Sequence, residues 1–226
     1  MKREPCAHRM RLVFVSLAAV AFFGPVLGAQ QAARFEMDFT NDKLIPPHWE
    51  LKLNSDGSGQ FDAAAAAPSP EDQKQIQVGE LHRPIQLSAA FTDRVFETAH
   101  QRRLFDFPCE SHMKVAMQGI KRLSYSGPEG NGACEFNYSK DKQIQALSDS
   151  FLAVENTLIF GARLEKLMQH DRLGVDQEME NLVAAVHEGN AIELGAIRST
   201  LDRIASDEEV LERARRKARL LLTSSR

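Results

Sequence analysis

The chain has 226 residues, 43% of them hydrophobic and 26% charged, with a formal net charge of −3. That is enough for one large domain or two small ones with a real core, and the composition excludes disorder, a collagen-like repeat and a disulfide knot. In residues 1–28, Lys2, Arg3, Arg9 and Arg11 face Glu4, a local +3 that leaves −6 on the remainder, so the basic excess needed to neutralise nucleic-acid phosphates is missing.

The chain opens with basic residues up to Arg11, then an apolar or small run from Leu12 to Phe23, then Gly24-Pro25 and the small-residue stretch Val26-Leu27-Gly28-Ala29. This is the order of a secretory signal peptide, with cleavage after Gly28 or Ala29. The run is short of the roughly 20 apolar residues of a membrane span, and Pro25 sits badly in an uncleaved anchor. Met10 is a second plausible start. Residues 1–28 are therefore expected to be a leader, and the mature chain to be exported to a bacterial periplasm or the outside. No later segment reaches the length of a span.

Cys6 falls in the leader, which leaves Cys109 and Cys134. An even pair in an oxidising compartment predicts a disulfide. It closes a loop of about 25 residues, worth about 3 kcal/mol in the chain-entropy treatment. The rival reading, a reactive Cys109 thiol beside His112, needs a depressed pKa and a base within reach.

Arg34 to Phe39 alternates Phe35, Met37 and Phe39 with polar residues, which predicts a strand. Trp49, Leu51 and Leu53 alternate likewise, and the turn Asn54 to Gly59 leads to Phe61 as in a hairpin. Ala63 to Gln73 reads as a loop. A strand lies within Ile76 to Leu87, and Ser88 caps a helix through about Gln101. The alternations Met113-Val115-Met117 and Leu123-Tyr125 predict strands; Gly127 to Gly132 is a loop and Ala133 to Tyr138 a returning strand.

From about Lys140 the period becomes helical. A long helix carries Ile144, Leu147, Phe151, Val154 and Leu158 and ends near Asp171. A second helix runs from about Asp176 to His187, with Gly189 as its stop. Capping boxes predict a third helix from Asn190 with Glu193, and a fourth from Ser206 with Glu209. The fold expected is α+β: a mostly antiparallel sheet with one packed helix (29–140), then about four antiparallel helices (141–226), either packed on the sheet as one unit or separate from it.

Several patterns mimic functional motifs. Asn54, Asp56, Ser58 and Gly59 match the first positions of an EF-hand loop, but Ala65 stands where its bidentate Glu belongs. His187-Glu188 has no second His for a zinc site. No metal or cofactor is expected. The basic cluster Arg213, Arg215, Arg216, Lys217 and Arg219 follows Asp207, Glu208, Glu209 and Glu212, in the sense that complements a helix dipole. Trp49, Tyr125 and Tyr138, the only Trp and Tyr residues, are the candidate binding surface if they share an exposed sheet face. For an enzyme, the candidates are Glu110 with His112 and His170 with Asp171.

The order strand, glycine-containing turn, strand, helix, strands, helix over about residues 45–160 is similar to that of the small emfourin protease inhibitors. The helical tail departs from it, and no residue roles carry over. The resemblance implies an inhibitor-like interaction module. The leading expectation is a non-enzymatic exported protein that binds a protein or cell-envelope component. The alternative is a hydrolase whose site is assembled from residues distant in sequence.

Overall fold

The computed structural model describes residues 32–65 and 78–224. The expected leader and most of the Ala63–Gln73 loop lie outside the described residues. Residues Gln31–Arg226 form one compact unit.

Six strands build one antiparallel sheet: β1 (Arg34–Thr40), β2 (His48–Asn54), β3 (Ser58–Ala63), β4 (Leu81–Gln86), β5 (Ile120–Gly127) and β6 (Gly130–Phe136). Their spatial order is β4-β3-β2-β1-β5-β6. Alternation decides which face is buried. Phe35, Met37 and Phe39 of β1 oppose Leu53, Leu51 and Trp49 of β2, and Tyr125, Leu123 and Lys121 of β5. All nine are buried. The other face carries Glu36, Asp38, Glu50, Lys52 and Asp62. Pro84, which cannot donate to a ladder, stands in the edge strand β4.

The β2–β3 turn depends on Gly57. Its φ is +82°, and a Cβ there would lie 2.7 Å from the Leu87 carbonyl oxygen. The Asp56 carboxylate accepts from Ser58 N (2.9 Å) and Ser58 Oγ (2.6 Å). The residues that mimic an EF-hand thus spend their oxygens on the hairpin. The β5–β6 hairpin is tighter than the sequence suggests, because Gly127 already pairs with Gly130.

Helix α1 (Ala89–Gln101) begins where predicted: Ser88 Oγ accepts from Phe91 N at 3.2 Å. Helix α2 (Lys142–His170) is capped by Asp141, which accepts from Gln143 N (2.9 Å) and Ile144 N (3.3 Å). At 1.5 Å per residue it is about 43 Å long, enough to cover the sheet and still serve the later helices. Helices α3 (Gly174–His187), α4 (Arg198–Ser206) and α5 (Glu212–Ser224) follow. Helix α3 packs on α2, and α5 packs on α3 and α4. One hydrophobic cluster runs from the sheet through all five helices. A polar link crosses it: Arg83 of β4 grips Glu165 of α2 (Nη1 to Oε1, 3.0 Å), which also accepts from Thr200 Oγ1 of α4 at 2.7 Å.

Both predicted capping boxes are corrected. Asn190 is committed to ending α3: its N–H donates to Ala185 O (2.8 Å) while Gly189 N donates to Val186 O (3.1 Å), the paired bonds of a Schellman close. Glu193 is left-handed (φ +56°), and its carboxylate accepts from Ser88 N (2.7 Å) and Ser88 Oγ (2.8 Å). It therefore supports the start of α1, and a short 3-10 turn (Leu194–Ile197) precedes α4. Ser206 closes α4 by donating to Asp202 O (2.9 Å); Asp207 takes Glu209 N (2.9 Å), and α5 starts later, at Glu212.

The basic cluster of α5 is largely paired within the fold. Arg213 lies 2.6 Å from Asp176, and Lys217 lies 3.1 Å from Asp176 and 3.3 Å from Glu180. Arg215 and Arg219 reach Glu212 at 2.7 and 2.6 Å. Acids of α3 and of its own first turn therefore account for four of its five cations.

Candidate functional site: a strapped apolar loop

The correction of one predicted strand exposes the candidate site. Met113-Val115-Met117 alternates like a strand, yet the segment between the α1 region and β5 joins no ladder. Its backbone groups are instead held at both ends, chiefly by side chains.

At the near end the chain leaves α1 through three residues with left-handed backbone, Arg103 (φ +54°), Leu104 (+56°) and Phe105 (+68°). Such residues cost about 1–2 kcal/mol each for L-amino acids. Burial of the Phe105 ring, edge-on to Phe35 at 5.7 Å, offsets this. Cys109 then bonds to Cys134, with 5.7 Å between their Cα atoms. Cys134 sits on the core face of β6 opposite Leu123, and both sulfur residues are buried. The predicted disulfide is therefore present, and a free Cys109 thiol beside His112 is not.

Beyond Cys109, Ser111 N donates to Tyr138 O at 2.9 Å. The Glu110 carboxylate accepts from His112 N (3.0 Å) and from Asn137 N (2.7 Å). These donors, Asn137 N–H first, hold the Glu110 carboxyl below the usual carboxylate range. Ser111 Oγ accepts from Met113 N at 3.1 Å.

At the far end Asn137 does the holding. Its Oδ1 accepts from Gln118 N (2.7 Å) and its Nδ2 donates to Ala116 O (3.0 Å). Its carbonyl accepts from Lys121 Nζ at 2.8 Å. Lys121 is buried beneath, and that burial lowers its pKa against the opposing charges of Asp149 and Glu110. Gly119 ends the loop at φ +118°, where a Cβ would meet the Phe39 ring at 2.4 Å.

The strap presents its apolar side chains to solvent: Met113 is 51% exposed, Val115 36% and Met117 67%, with Ile120 of β5 adjoining at 36%. Exposed large apolar residues grouped in one held segment mark an interaction surface more than a stability feature. Asn137→Ala is expected to remove two loop hydrogen bonds, each worth about 0.5–1.5 kcal/mol. Hydrogen exchange should quicken at Gln118 while Leu123, inside the sheet, keeps its protection.

The aromatic surface foreseen from the sequence is corrected. Trp49 and Tyr125 are only 1% and 2% exposed and belong to the core. Trp49 stacks on Phe39 at 5.4 Å. Tyr125 donates to Glu129 at 2.5 Å; burial, then that contact, pushes its phenol up to about 12. Only Tyr138 is half-buried, and its contribution is the carbonyl that takes Ser111 N. The three do not form one exposed face.

The open sheet face is the other polar constellation. Asp38, Glu50 and Asp62 lie in one cross-strand row, where like charges repel. Each has a partner: His48 Nε2 at 2.9 Å from Asp38, Lys52 on Glu50, and His82 Nδ1 at 2.7 Å from Asp62. Burial, then the hydrogen bond and charge of Glu50, raises the Glu36 carboxyl. Glu50 itself is pushed up by burial but ends lower, because bonds from Lys52 and Glu36 outweigh it. Each carboxylate of the row thus has a hydrogen-bond partner on the sheet itself.

The enzyme candidates do not converge. Glu110 is occupied by backbone donors, and the exposed His112 ring makes no hydrogen bond among the described residues. Asp171 accepts from Gly174 N (3.1 Å), not from His170. Burial pushes Glu155 of α2 up to about 8, with only the charge of Arg163 opposing, but among the described residues no histidine or second carboxylate bonds to it. Among the described residues, no group of three or more His, Cys, Asp or Glu could hold a metal ion. No protein-family model matches the chain, and no curated protein matches it in sequence.

Proposed function

We propose that this is an exported, non-enzymatic binding protein whose contact element is the strapped loop Cys109–Gly119, and that its partner is a protein with an apolar cleft. The observation that carries this reading is the display of Met113, Val115 and Met117 at alternate positions on a backbone restrained at both ends. Restraint before binding reduces the ordering cost at the moment of association. A loop this short cannot supply a standard interface of about 800 Å² per partner on a flat surface. A cleft that encloses it can. Export is supported by the buried disulfide, by the basic and apolar leader pattern, and by the fact that no described helix is long and apolar enough to cross a membrane.

The test places a photo-crosslinking side chain at Val115 in the producing cell, with Leu173, which is more exposed (72% against 36%), as control. One discrete protein adduct is expected at Val115 and not at Leu173, and Met113→Asp with Met117→Asp should abolish it. Equal adducts at both positions, or none at Val115, overturns the proposal.

The two-ended restraint also favours a narrower second reading, an inhibitor-like loop for an endopeptidase cleft. It predicts slow-dissociating inhibition of the captured partner's proteolysis by the disulfide-intact protein. A captured partner with no peptidase activity removes this reading and leaves the first.

A further inference from the structure

Among the described residues there are five methionines, and their burial divides sharply. Met37, Met168 and Met179 are 0%, 8% and 0% exposed, whereas Met113 and Met117 are 51% and 67% exposed. Both exposed thioethers lie on the strap, on either side of Val115. The other side chains with an affinity for oxidants are withdrawn: Cys109 and Cys134 are joined and buried, and Trp49 is 1% exposed. The two loop sulfurs are thus the oxidisable groups that the described fold presents to solvent.

We propose that Met113 and Met117 form a modification site for two-electron oxidants of the peroxide or hypohalous-acid class, and that their oxidation switches the strap from apolar to polar. With hydrogen peroxide, the thioether sulfur attacks one peroxide oxygen and the O–O bond breaks. Sulfur gains that oxygen as a sulfoxide and is oxidised by two electrons. The second oxygen leaves as hydroxide and takes the proton of the sulfur-bound oxygen to become water. The reverse step needs two thiols: the sulfoxide oxygen leaves as water, and the thiols become a disulfide. The sulfoxide is a strong hydrogen-bond acceptor with a dipole, so the apolar stripe Met113-Val115-Met117 loses two of its three members without any change in chain fold. Because the strap is held by Asn137, Glu110 and the disulfide, and not by packing of these methionines, the change stays local. As regulation, the switch rests on the binding role proposed for the same loop.

The experiment treats the folded, disulfide-intact exported chain with limiting hydrogen peroxide and maps the oxygen added to each methionine peptide over time. Met113 and Met117 are expected to oxidise at least roughly tenfold faster than Met37, Met168 and Met179. Retention on a hydrophobic-interaction column should fall in step, and treatment with methionine sulfoxide reductase and a dithiol should restore it. Met113→Leu with Met117→Leu should hold full retention through the same treatment. Comparable rates at all five methionines, or unchanged retention after selective oxidation, overturns the proposal. None of these readouts needs the partner, so a missing crosslink at Val115 defeats the binding role alone. If the partner is captured, oxidation should release it from the native chain, and methionine sulfoxide reductase with a dithiol should restore capture; capture unchanged by selective oxidation would show that the sulfoxides do not regulate binding.

Discussion

Phe151→Ala is expected to lower the stability of the protein by about 3–5 kcal/mol, read as a drop in the urea midpoint with little change in slope. The residue sits on α2 and is 0% exposed. Its ring stacks on Phe35 of the central strand at 4.8 Å and meets Phe91 of α1 edge-on at 5.2 Å. Phe35 in turn touches Phe105, which anchors the left-handed turn after α1. Truncation therefore opens a cavity where the sheet, α1 and α2 come together. The neighbours are stiff: β1 is paired on both sides, and α2 is tied by Glu165 to Arg83 and Thr200. A site that cannot collapse has a large cavity cost. The same variant asks whether sheet and helices unfold together. One core cluster spans both, so far-UV ellipticity and Trp49 fluorescence should report one transition. A helical plateau that survives the loss of the tryptophan signal would show two separately stable parts.

How much of this was legible in the sequence depends on where each residue's hydrogen bonds go. Strands β1, β2 and β5 follow a strict two-residue alternation because one sheet face is buried and the other is wet; Ser88 marks the start of α1, and apolar spacing marks both α1 and α2, whereas the Asp141 cap was seen only in the structure. The Cys109–Cys134 pairing needed only counting. The misread caps and the misread strand share one cause: a local pattern lost to another hydrogen-bond partner. Glu193 looks like the third residue of a helix start, but its carboxylate is taken by Ser88, far away in sequence. Asn190 looks like a cap, but its N–H closes the preceding helix. Met113, Val115 and Met117 alternate like a strand, but Asn137 and Glu110 supply the partners that a neighbouring strand would have offered. Asn137 was not singled out at all. The one available signal was its place near the end of the predicted Ala133–Tyr138 strand, which also carries Cys134, the partner of Cys109. Trp49 and Tyr125 show the reverse limit. Residue type suggested recognition, whereas their positions in the alternation of β2 and β5 put them inside.

Removing the disulfide by Cys109→Ala with Cys134→Ala is expected to reduce stability by about 3 kcal/mol, because the closed loop contains about 25 residues. Alanine is the better probe than serine here. Both sites are buried, 4% and 6% exposed, and a hydroxyl left without a partner there would add its own penalty. The loss should have two parts that can be separated. The larger acts on the unfolded chain and appears as a lower midpoint for the whole protein, matched by the wild type under reductant. The smaller is local. Without the bridge, Ser111 N to Tyr138 O and the two bonds of Glu110 must hold the near end of the strap against the left-handed turn at Arg103–Phe105. Amide exchange at Ser111 and His112 should therefore quicken far more than at Gln118, which Asn137 still holds. Uniform protection along the strap after bridge removal would mean that the hydrogen bonds alone fix the loop, and that the disulfide acts only on the unfolded ensemble.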